Sequence, residues 1–135
     1  NDYHFNVDGD GEIIYTRSLD EVPRATWHRN TGSIAIALCC CYNARPNDLG
    51  DYPPTEAQIE TLAKMFAVIA EVFDNPIDRE HFMTHGEAAN DDGYGLYSGE
   101  PDCRWDLEQL CNEDEVGTGG DILRGKAQWY LENGV

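Results

Sequence analysis

Basic residues are scarce in this sequence. Nine Lys and Arg stand against 26 Asp and Glu among 135 residues, which gives a formal net charge of -17. An excess of negative charge on this scale repels nucleic acid and anionic lipid surfaces. We therefore expect no nucleic acid partner and no binding to an anionic membrane.

Long apolar runs are also missing. No stretch of about 18 apolar residues occurs, so the sequence predicts no insertion into a membrane. The chain also shows no charged segment followed by an apolar one, which is the pattern of a secretory leader. The hydrophobic fraction of 41% is that of a globular protein, and 135 residues suffice for one core. We interpret residues 1–135 as a single domain.

Paired cysteine motifs are absent, because the five cysteines show no Cys-x-x-Cys spacing and their number is odd. Cys39, Cys40 and Cys41 are consecutive. Neighbouring side chains in a strand point to opposite faces, and a disulfide between neighbours is strained. We predict that these three, together with Cys103 and Cys111, are mostly reduced and buried as small apolar side chains.

The segment NVDGDGEII near the start permits two interpretations. Asn6, Asp8 and Asp10 alternate as the first calcium ligands of an EF-hand loop do, but Arg17 occupies the place of the final Glu. An EF-hand also needs a helix on each side, whereas alternating aromatic and β-branched residues flank this segment. The pattern predicts a β-hairpin that turns at residues 8–11 and binds no calcium.

A long apolar segment and a well-marked helix follow the hairpin. SIAIALCCCY, residues 33–42, is apolar at successive positions, which is typical of a central strand covered on both faces. A helix is predicted to begin after Thr55, with Gln58 completing a capping box, and to end at residues 74–80. Its apolar stripe has helical spacing and comprises Ile59, Leu62, Ala63, Phe66, Ala70 and Phe73.

The second half of the chain is predicted to hold shorter elements. HFMTH, residues 81–85, is interpreted as a short strand, and residues 86–101 as a loop rich in Gly, Asp and Asn. Helices are predicted at residues 105–111 and 121–134, the second within a C-terminal helical extension, residues 117–135. Strands mixed with helices indicate an α/β fold with a mixed central β-sheet flanked by helices.

His85 and Asp106 are the first candidates for chemistry. His85 ends the predicted short strand, and Asp106 closes the polar loop after it, two residues beyond Arg104. A neutral imidazole and a carboxylate are suitable zinc donors, and a catalytic zinc takes three protein ligands and a water. HFMTH is not the motif of a helical zinc protease, because Phe82 stands where that motif has its Glu.

Four segments, taken in order, resemble one family. They are DYHFNVDGDGEIIYTR, ATWHRNTGSIAIAL, PPTEAQIETLAKMF, and FMTHGEAA followed by RWDL. Together they span about residues 2–110 and resemble the zinc-dependent N-acetylmuramoyl-L-alanine amidases. That family includes the phage lysozyme-type amidases and is related to the peptidoglycan recognition proteins. The resemblance implies their fold and one catalytic zinc ion.

The resemblance implies two zinc ligands in this chain. His85 matches the family's second ligand and Asp106 its third, with Glu100 and Asp102 as alternative registers for the third. The family's first ligand is a His upstream of YHF, which this chain does not contain, and His4 is not expected to replace it. We therefore expect either an N-terminally incomplete domain or a site that has lost catalysis.

The resemblance also implies a reaction, the hydrolysis of the amide that joins N-acetylmuramic acid to L-alanine. Tyr3 matches the catalytic tyrosine of the phage enzymes, and Arg104 takes the place of a basic residue two positions before the third ligand. Both side chains can donate hydrogen bonds to a developing oxyanion. Glu87 is a candidate for proton transfer, although a supporting or a solvated role is equally consistent with its position.

Substrate-binding residues are predicted at two places. His28 and Asn30 match a pair that precedes the family's central strand, and Tyr94 and Tyr97 lie among glycines in a loop that can wall a groove. The implied partner is peptidoglycan or a muropeptide, so the site of action is the cell wall, reached by export or by phage delivery. Two other functions remain open, a non-catalytic peptidoglycan-binding module and a structural or interaction domain.

Overall fold

A computed structural model describes residues 2–135 and contains three strands and three helices in that range. The strands are β1 (Phe5–Val7), β2 (Ile13–Tyr15) and β3 (Ile36–Leu38), and the helices are α1 (Glu56–Phe73), α2 (His85–Asp92) and α3 (Gly119–Asn133). The strand order is β2-β1-β3, with one antiparallel and one parallel pair. This mixed sheet with helices confirms the α/β prediction.

The predicted hairpin is confirmed. β1 and β2 pair in an antiparallel register that sets Phe5 opposite Tyr15 and Val7 opposite Ile13. The Asp8 carboxylate accepts hydrogen bonds from the backbone N–H groups of Asp10, at 2.9 Å, and of Glu12, at 3.0 Å. The acidic residue therefore serves the turn itself, as Asp does in many tight turns.

The prediction of a long central strand at residues 33–42 is wrong. β3 has three residues, is half-buried, and lies at an edge of the described sheet, while β1 occupies the middle. Ile36 and Leu38 pack against the core, which explains the apolar pattern without a second covered face. The chain leaves the strand after Leu38. The five cysteines are free thiols, as predicted, but they are half-buried or exposed rather than buried.

Helix α1 is anchored to the sheet by its capping residues. Thr55 and Gln58 form the predicted capping box, with hydrogen bonds of 3.0 and 2.9 Å. The buried Gln58 amide also donates to the carbonyls of Val7 and Cys39, both at 3.1 Å. One side chain thus joins the start of α1 to β1 and to the residue that follows β3.

The C-terminal helix α3 confirms the prediction for residues 121–134 to within two residues and packs along α1. Leu62 of α1, Leu123 of α3 and Leu110 of the preceding loop form a buried cluster. Burying such side chains contributes roughly 1.5–3 kcal/mol each. Within the described chain, no helix has both the length and the apolar character needed to cross a membrane.

The strand predicted at residues 81–85 does not form, and the prediction of a loop at residues 86–101 is wrong where α2 forms. Thr84 caps this helix by accepting a hydrogen bond from the Glu87 N–H, and the Glu87 carboxylate accepts one from the Thr84 N–H, both at 3.0 Å. The capping box Thr-x-x-Glu begins a helix despite the Gly and Asp residues that follow.

The helix predicted at residues 105–111 is also wrong. The segment consists of turns, and Leu107 has a positive φ of 62°. The Gln109 side chain accepts a hydrogen bond from the Asn47 N–H at 2.7 Å. Contacts with distant parts of the chain therefore replace the local helical bonds.

A buried ion pair joins α2 to α3. The Arg124 guanidinium donates two hydrogen bonds to the Glu87 carboxylate, each 2.7 Å long, and one to the Phe82 carbonyl at 2.8 Å. Both side chains are about nine-tenths buried. Gly120 allows the approach, because a Cβ there would lie 2.5 Å from the Glu87 carboxyl carbon.

We predict that Glu87→Gln lowers the free energy of unfolding by about 3 kcal/mol. The variant leaves the buried Arg124 guanidinium with the exposed Asp121 carboxylate as its remaining partner, at 2.8 Å. Burial raises the pKa of Glu87, but Arg124 and the Thr84 N–H outweigh it, so the net pKa lies below 4.5. The ion pair therefore stabilises the protein fully above pH 4.5 and loses this effect as the pH falls through the lowered pKa.

Chemical denaturation at neutral pH and at a series of acidic pH values measures both effects. The difference between wild type and Glu87→Gln should shrink on acidification. The matched control is Glu21→Gln, which removes an exposed partner of Arg17 and should cost less than about 1 kcal/mol. Equal losses of unfolding free energy in the two variants would contradict a stabilising role for the ion pair between Glu87 and Arg124.

Candidate functional site

His85 and Asp106 are neighbours at the start of α2. The His85 Nδ1 atom lies 3.5 Å from an Asp106 carboxylate oxygen, and the two side chains are 15% and 44% exposed. The Asp106 loop is held against the helix because the Gly86 N–H donates to the Asp106 carbonyl at 3.1 Å. Gly86 permits this contact, since a Cβ there would lie 2.9 Å from the Trp105 carbonyl carbon.

Tyr3 and Arg104 join this pair electrostatically. Burial and the Asp106 charge raise the pKa of Tyr3, while the Arg104 charge opposes them. Burial also raises the pKa of Asp106, but His85 and Arg104 outweigh it and keep the carboxyl ionised at neutral pH. The structure thus brings together Tyr3, His85, Arg104 and Asp106, which lie far apart in the sequence.

A chain of aromatic rings extends from His85 to the surface. The Tyr94 ring centroid lies 6.3 Å from that of His85, and the Trp27 centroid lies 6.1 Å from that of Tyr94. Trp27, which is 61% exposed, stacks on His28 at a centroid distance of 3.7 Å. The sequence analysis predicted His28 and Tyr94 as site residues but missed Trp27. The feature that could have indicated Trp27 is its position as an aromatic residue inside a polar turn.

A cavity of about 360 Å³ lies beside this stack and is lined by Trp27, His28, Arg29 and Asp92. Arg29 donates two hydrogen bonds to the Asp92 carboxylate, at 2.7 and 2.8 Å. The cavity therefore combines an aromatic surface with charged hydrogen-bonding groups, a combination suited to a sugar ring or a short peptide.

The Tyr94 hydroxyl is buried and has no hydrogen-bond partner among the described residues. Burial raises the pKa of this tyrosine, and the Asp92 charge adds to the effect. A buried hydroxyl without a partner is costly, and this one stands between the Trp27 stack and His85.

Other predicted residues lie outside this group. The Glu87 carboxylate is bound to Arg124, as described above. The Asn30 side chain accepts hydrogen bonds from the N–H groups of Ala25 and Thr26, at 2.9 and 2.8 Å, and so shapes the Trp27 turn. Tyr97 is 77% exposed and lines a separate cavity of about 210 Å³.

The two alternative registers for the third ligand, Glu100 and Asp102, are exposed in the loop after Tyr97. Within residues 2–135, no ion pair of the structure connects either carboxylate to His85, whereas Asp106 lies beside it.

The donors present do not complete a zinc site. His85 and Asp106 have suitable chemistry, but a catalytic zinc takes three protein ligands, and no group of three His, Cys, Asp or Glu suited to a metal occurs in the described part of the chain. The buried His4 cannot serve, because its Nε2 bonds the Glu21 carbonyl at 2.9 Å and its Nδ1 accepts from the Ala35 N–H at 3.0 Å.

The α/β domain thus holds a His, a carboxylate, a Tyr and an Arg near the aromatic rings of Tyr94 and Trp27. The family model described as N-acetylmuramoyl-L-alanine amidase matches residues 1–96. The chain belongs to this amidase family, whose general activity is the hydrolysis of peptidoglycan amides. The match includes Tyr3 and His85 and ends before Arg104 and Asp106. No curated protein and no solved structure matches the chain significantly.

We predict that Tyr94→Phe does not lower the free energy of unfolding and raises it by up to about 1 kcal/mol, because it removes an unpaired buried hydroxyl. Tyr130→Phe is the matched control, since that hydroxyl donates to Glu60 at 2.6 Å, and its removal should lower the free energy of unfolding. Chemical denaturation measures both values. A loss in Tyr94→Phe as large as in Tyr130→Phe would show that the Tyr94 hydroxyl has a partner in the folded protein.

Proposed function

We propose that this chain is a peptidoglycan amidase domain that hydrolyses the bond between N-acetylmuramic acid and L-alanine. The observation that carries the proposal is the grouping of Tyr3, His85 and Arg104 around Asp106, in a chain of the amidase family. The substrate lies in the cell wall, so we propose that the domain acts there.

The proposed cofactor is one zinc ion, with His85 and Asp106 as two of its donors. These residues meet the chemical preference of zinc but not its usual number of protein ligands. A complete site therefore requires a third donor in addition to this pair. His85, whose Nδ1 faces Asp106 at 3.5 Å, is oriented by the carboxylate in either case.

Tyr3 and Arg104 are proposed to bind the carbonyl oxygen of the scissile amide. The raised pKa of Tyr3 keeps its hydroxyl protonated at neutral pH, so that it can donate a hydrogen bond. The Arg104 guanidinium stays charged and also donates, but it cannot release a proton. These two donors would stabilise the negative charge that develops on the oxygen in the tetrahedral transition state. Glu87 takes no part, because its carboxylate is engaged by Arg124.

The Trp27 stack and the neighbouring cavity are proposed to hold the glycan part of the substrate. A sugar ring has an apolar face that packs on aromatic rings, and its hydroxyls and N-acetyl group take hydrogen bonds. Trp27 offers the ring and the Arg29–Asp92 pair offers the polar groups. Tyr94 lies between this cavity and His85, so its ring connects the proposed glycan site to the His85 group.

A non-catalytic peptidoglycan-binding module is the second candidate. It is favoured by one observation, that residues 2–135 provide two metal donors rather than three. The aromatic cleft and the Arg104 site would serve binding equally well without hydrolysis.

Zinc content and muropeptide turnover of the purified chain distinguish the candidates. The proposed amidase binds about one zinc per chain, as a catalytic site requires, and releases L-alanyl peptides from muropeptides. His85→Ala and Asp106→Asn should lose both properties, while the control His81→Ala, whose ring pairs with Asp78, should keep them. Muropeptide binding without zinc or cleavage would support the binding module. Absence of binding would contradict both candidates and favour an interaction domain.

Tyr3→Phe tests the proposed role of the hydroxyl. We expect kcat to fall on the order of a hundredfold with little change in KM, because the donor acts mainly in the transition state. Steady-state kinetics on a soluble muropeptide measures both constants, and Tyr15→Phe in the exposed strand β2 is the control. A change confined to KM would place Tyr3 in ground-state binding instead.

A further inference from the structure

The Trp27 turn, residues 25–33, has no helix or strand and is mostly exposed. Its internal hydrogen bonds are local, since Asn30 accepts from the Ala25 and Thr26 N–H groups and the Ser33 hydroxyl donates to the Asn30 carbonyl at 2.8 Å. At its tip, His28 has a positive φ of 61°, which is unfavourable for a residue with a side chain. The place of this turn on the protein therefore depends on its contacts with other elements.

Arg29 provides contacts of this kind. Its guanidinium donates two hydrogen bonds to the Asp92 carboxylate, at 2.7 and 2.8 Å, and its Nη1 donates to the Met83 sulfur at 3.7 Å. Asp92 is the last residue of α2. Paired hydrogen bonds between a guanidinium and a carboxylate fix the orientation of the two groups as well as their distance. The ion pair thus joins the Trp27 turn to the end of α2.

The end of α2 attracts a cation. The helix closes with Asp91 and Asp92 and has no basic residue in its last turn. Carboxylates are unfavourable at the C-terminal end of a helix, which carries partial negative charge, whereas a cation is favourable there. The hydrogen bond to Asp92 raises the pKa of Arg29, and the charges of Asp92 and Asp91 add to the rise. Arg29 is therefore held by the helix end as a whole and not by one carboxylate alone.

The same helix end carries the ring that Trp27 contacts. The Tyr94 N–H donates to the Ala89 carbonyl at 2.9 Å, which fixes Tyr94 just beyond α2. The Trp27 ring meets the Tyr94 ring edge-on, with centroids 6.1 Å apart and an interplanar angle of 83°. Trp27 is two residues from Arg29, and Tyr94 is two residues from Asp92. The ion pair and the ring contact thus join the same two segments, and the cavity of about 360 Å³ is lined by the two stacked rings and by both members of the ion pair.

We propose that Arg29 and Asp92 form an electrostatic latch, which holds the Trp27 turn against Tyr94 before the substrate arrives and so preforms the cavity. Arg29 is a positioning residue that acts through Trp27. A ligand that binds the closed turn loses apparent affinity in proportion as the closed fraction falls. The two side chains are 37% and 25% exposed, so salt weakens the latch. The inference rests on the proposed role of Trp27 in holding the glycan, but its first test needs no substrate.

The first test follows Trp27 by fluorine NMR in the full chain, whose three tryptophans are replaced by 5-fluorotryptophan. Trp27→Phe identifies the Trp27 resonance. We expect Asp92→Asn to move this resonance towards its position in the urea-unfolded protein, while the other two resonances keep their folded positions and show that the variant folds. The matched control is Asp91→Asn, which removes a carboxylate that accepts two hydrogen bonds from Arg79 at the same helix end. It should leave the Trp27 resonance in place.

A double variant separates the loss of the latch from a change in local charge. Arg29→Met should move the Trp27 resonance as Asp92→Asn does, and the double variant should move it no further, because a single interaction can be lost only once. An unchanged resonance in Asp92→Asn, an equal shift in Asp91→Asn, or additive shifts in the double variant would overturn the latch.

Steady-state kinetics on a soluble muropeptide tests the positioning role. We expect Asp92→Asn to raise KM about two- to fivefold, the range that an exposed ion pair supplies, with kcat unchanged, and Asp91→Asn to keep both constants. A higher KM without movement of Trp27 would reduce Asp92 to a direct substrate contact, and movement without a change in KM would show that the turn holds no sugar. Either result overturns the positioning role. If no muropeptide is cleaved, the proposed function fails, whereas the fluorine measurement still decides whether the latch exists and the muropeptide dissociation constant replaces KM.

Discussion

The position of the candidate site depends on the buried ion pair between Glu87 and Arg124. Glu87 caps the start of α2 through Thr84, and Arg124 binds the same carboxylate from α3. His85 is the first residue of α2, directly after the cap, so the pair fixes both the helix that carries His85 and the place of that helix against the core. A carboxylate that satisfies a cap and a guanidinium at once loses its freedom to act as a proton donor. Its contribution to function is therefore positional.

Much of the fold could be predicted because its signals are local. The hairpin was evident from Asp8 and its glycines, and α1 from Thr55, Gln58 and an apolar stripe. The wrong predictions arose where the composition of a segment was given more weight than a local signal such as a capping box. Residues 33–42 are apolar, but only Ile36–Leu38 pair with β1. The Thr84 capping box was visible in the sequence, yet the Gly and Asp residues around it suggested a loop.

The site was less accessible to sequence reasoning, because its contacts join distant segments. Residue type and spacing made His85 and Asp106 candidates, and a family resemblance supported the pair, but the matched family region ends before Asp106. The ion partner of Glu87 lies 37 residues away on another helix, and no spacing rule predicts such a pair. Trp27 can be recognised as part of the site only from its contact with Tyr94, which lies in a different loop. Residue types thus suggested the chemistry, whereas only tertiary packing could select which residues meet.

The charge of the chain sets a final constraint on what this site can bind. With a net charge of -17, the surface opposes the approach of an anionic ligand. Arg29 beside the cavity is already compensated by Asp92. The Arg104 charge acts on Tyr3, Tyr94 and Asp106 together, so it is a cation that all three side chains share. A neutral amide that acquires negative charge only during reaction meets little repulsion on entry and gains from Arg104 afterwards. The electrostatics therefore favour stabilisation of a developing charge over tight binding of a preformed anion.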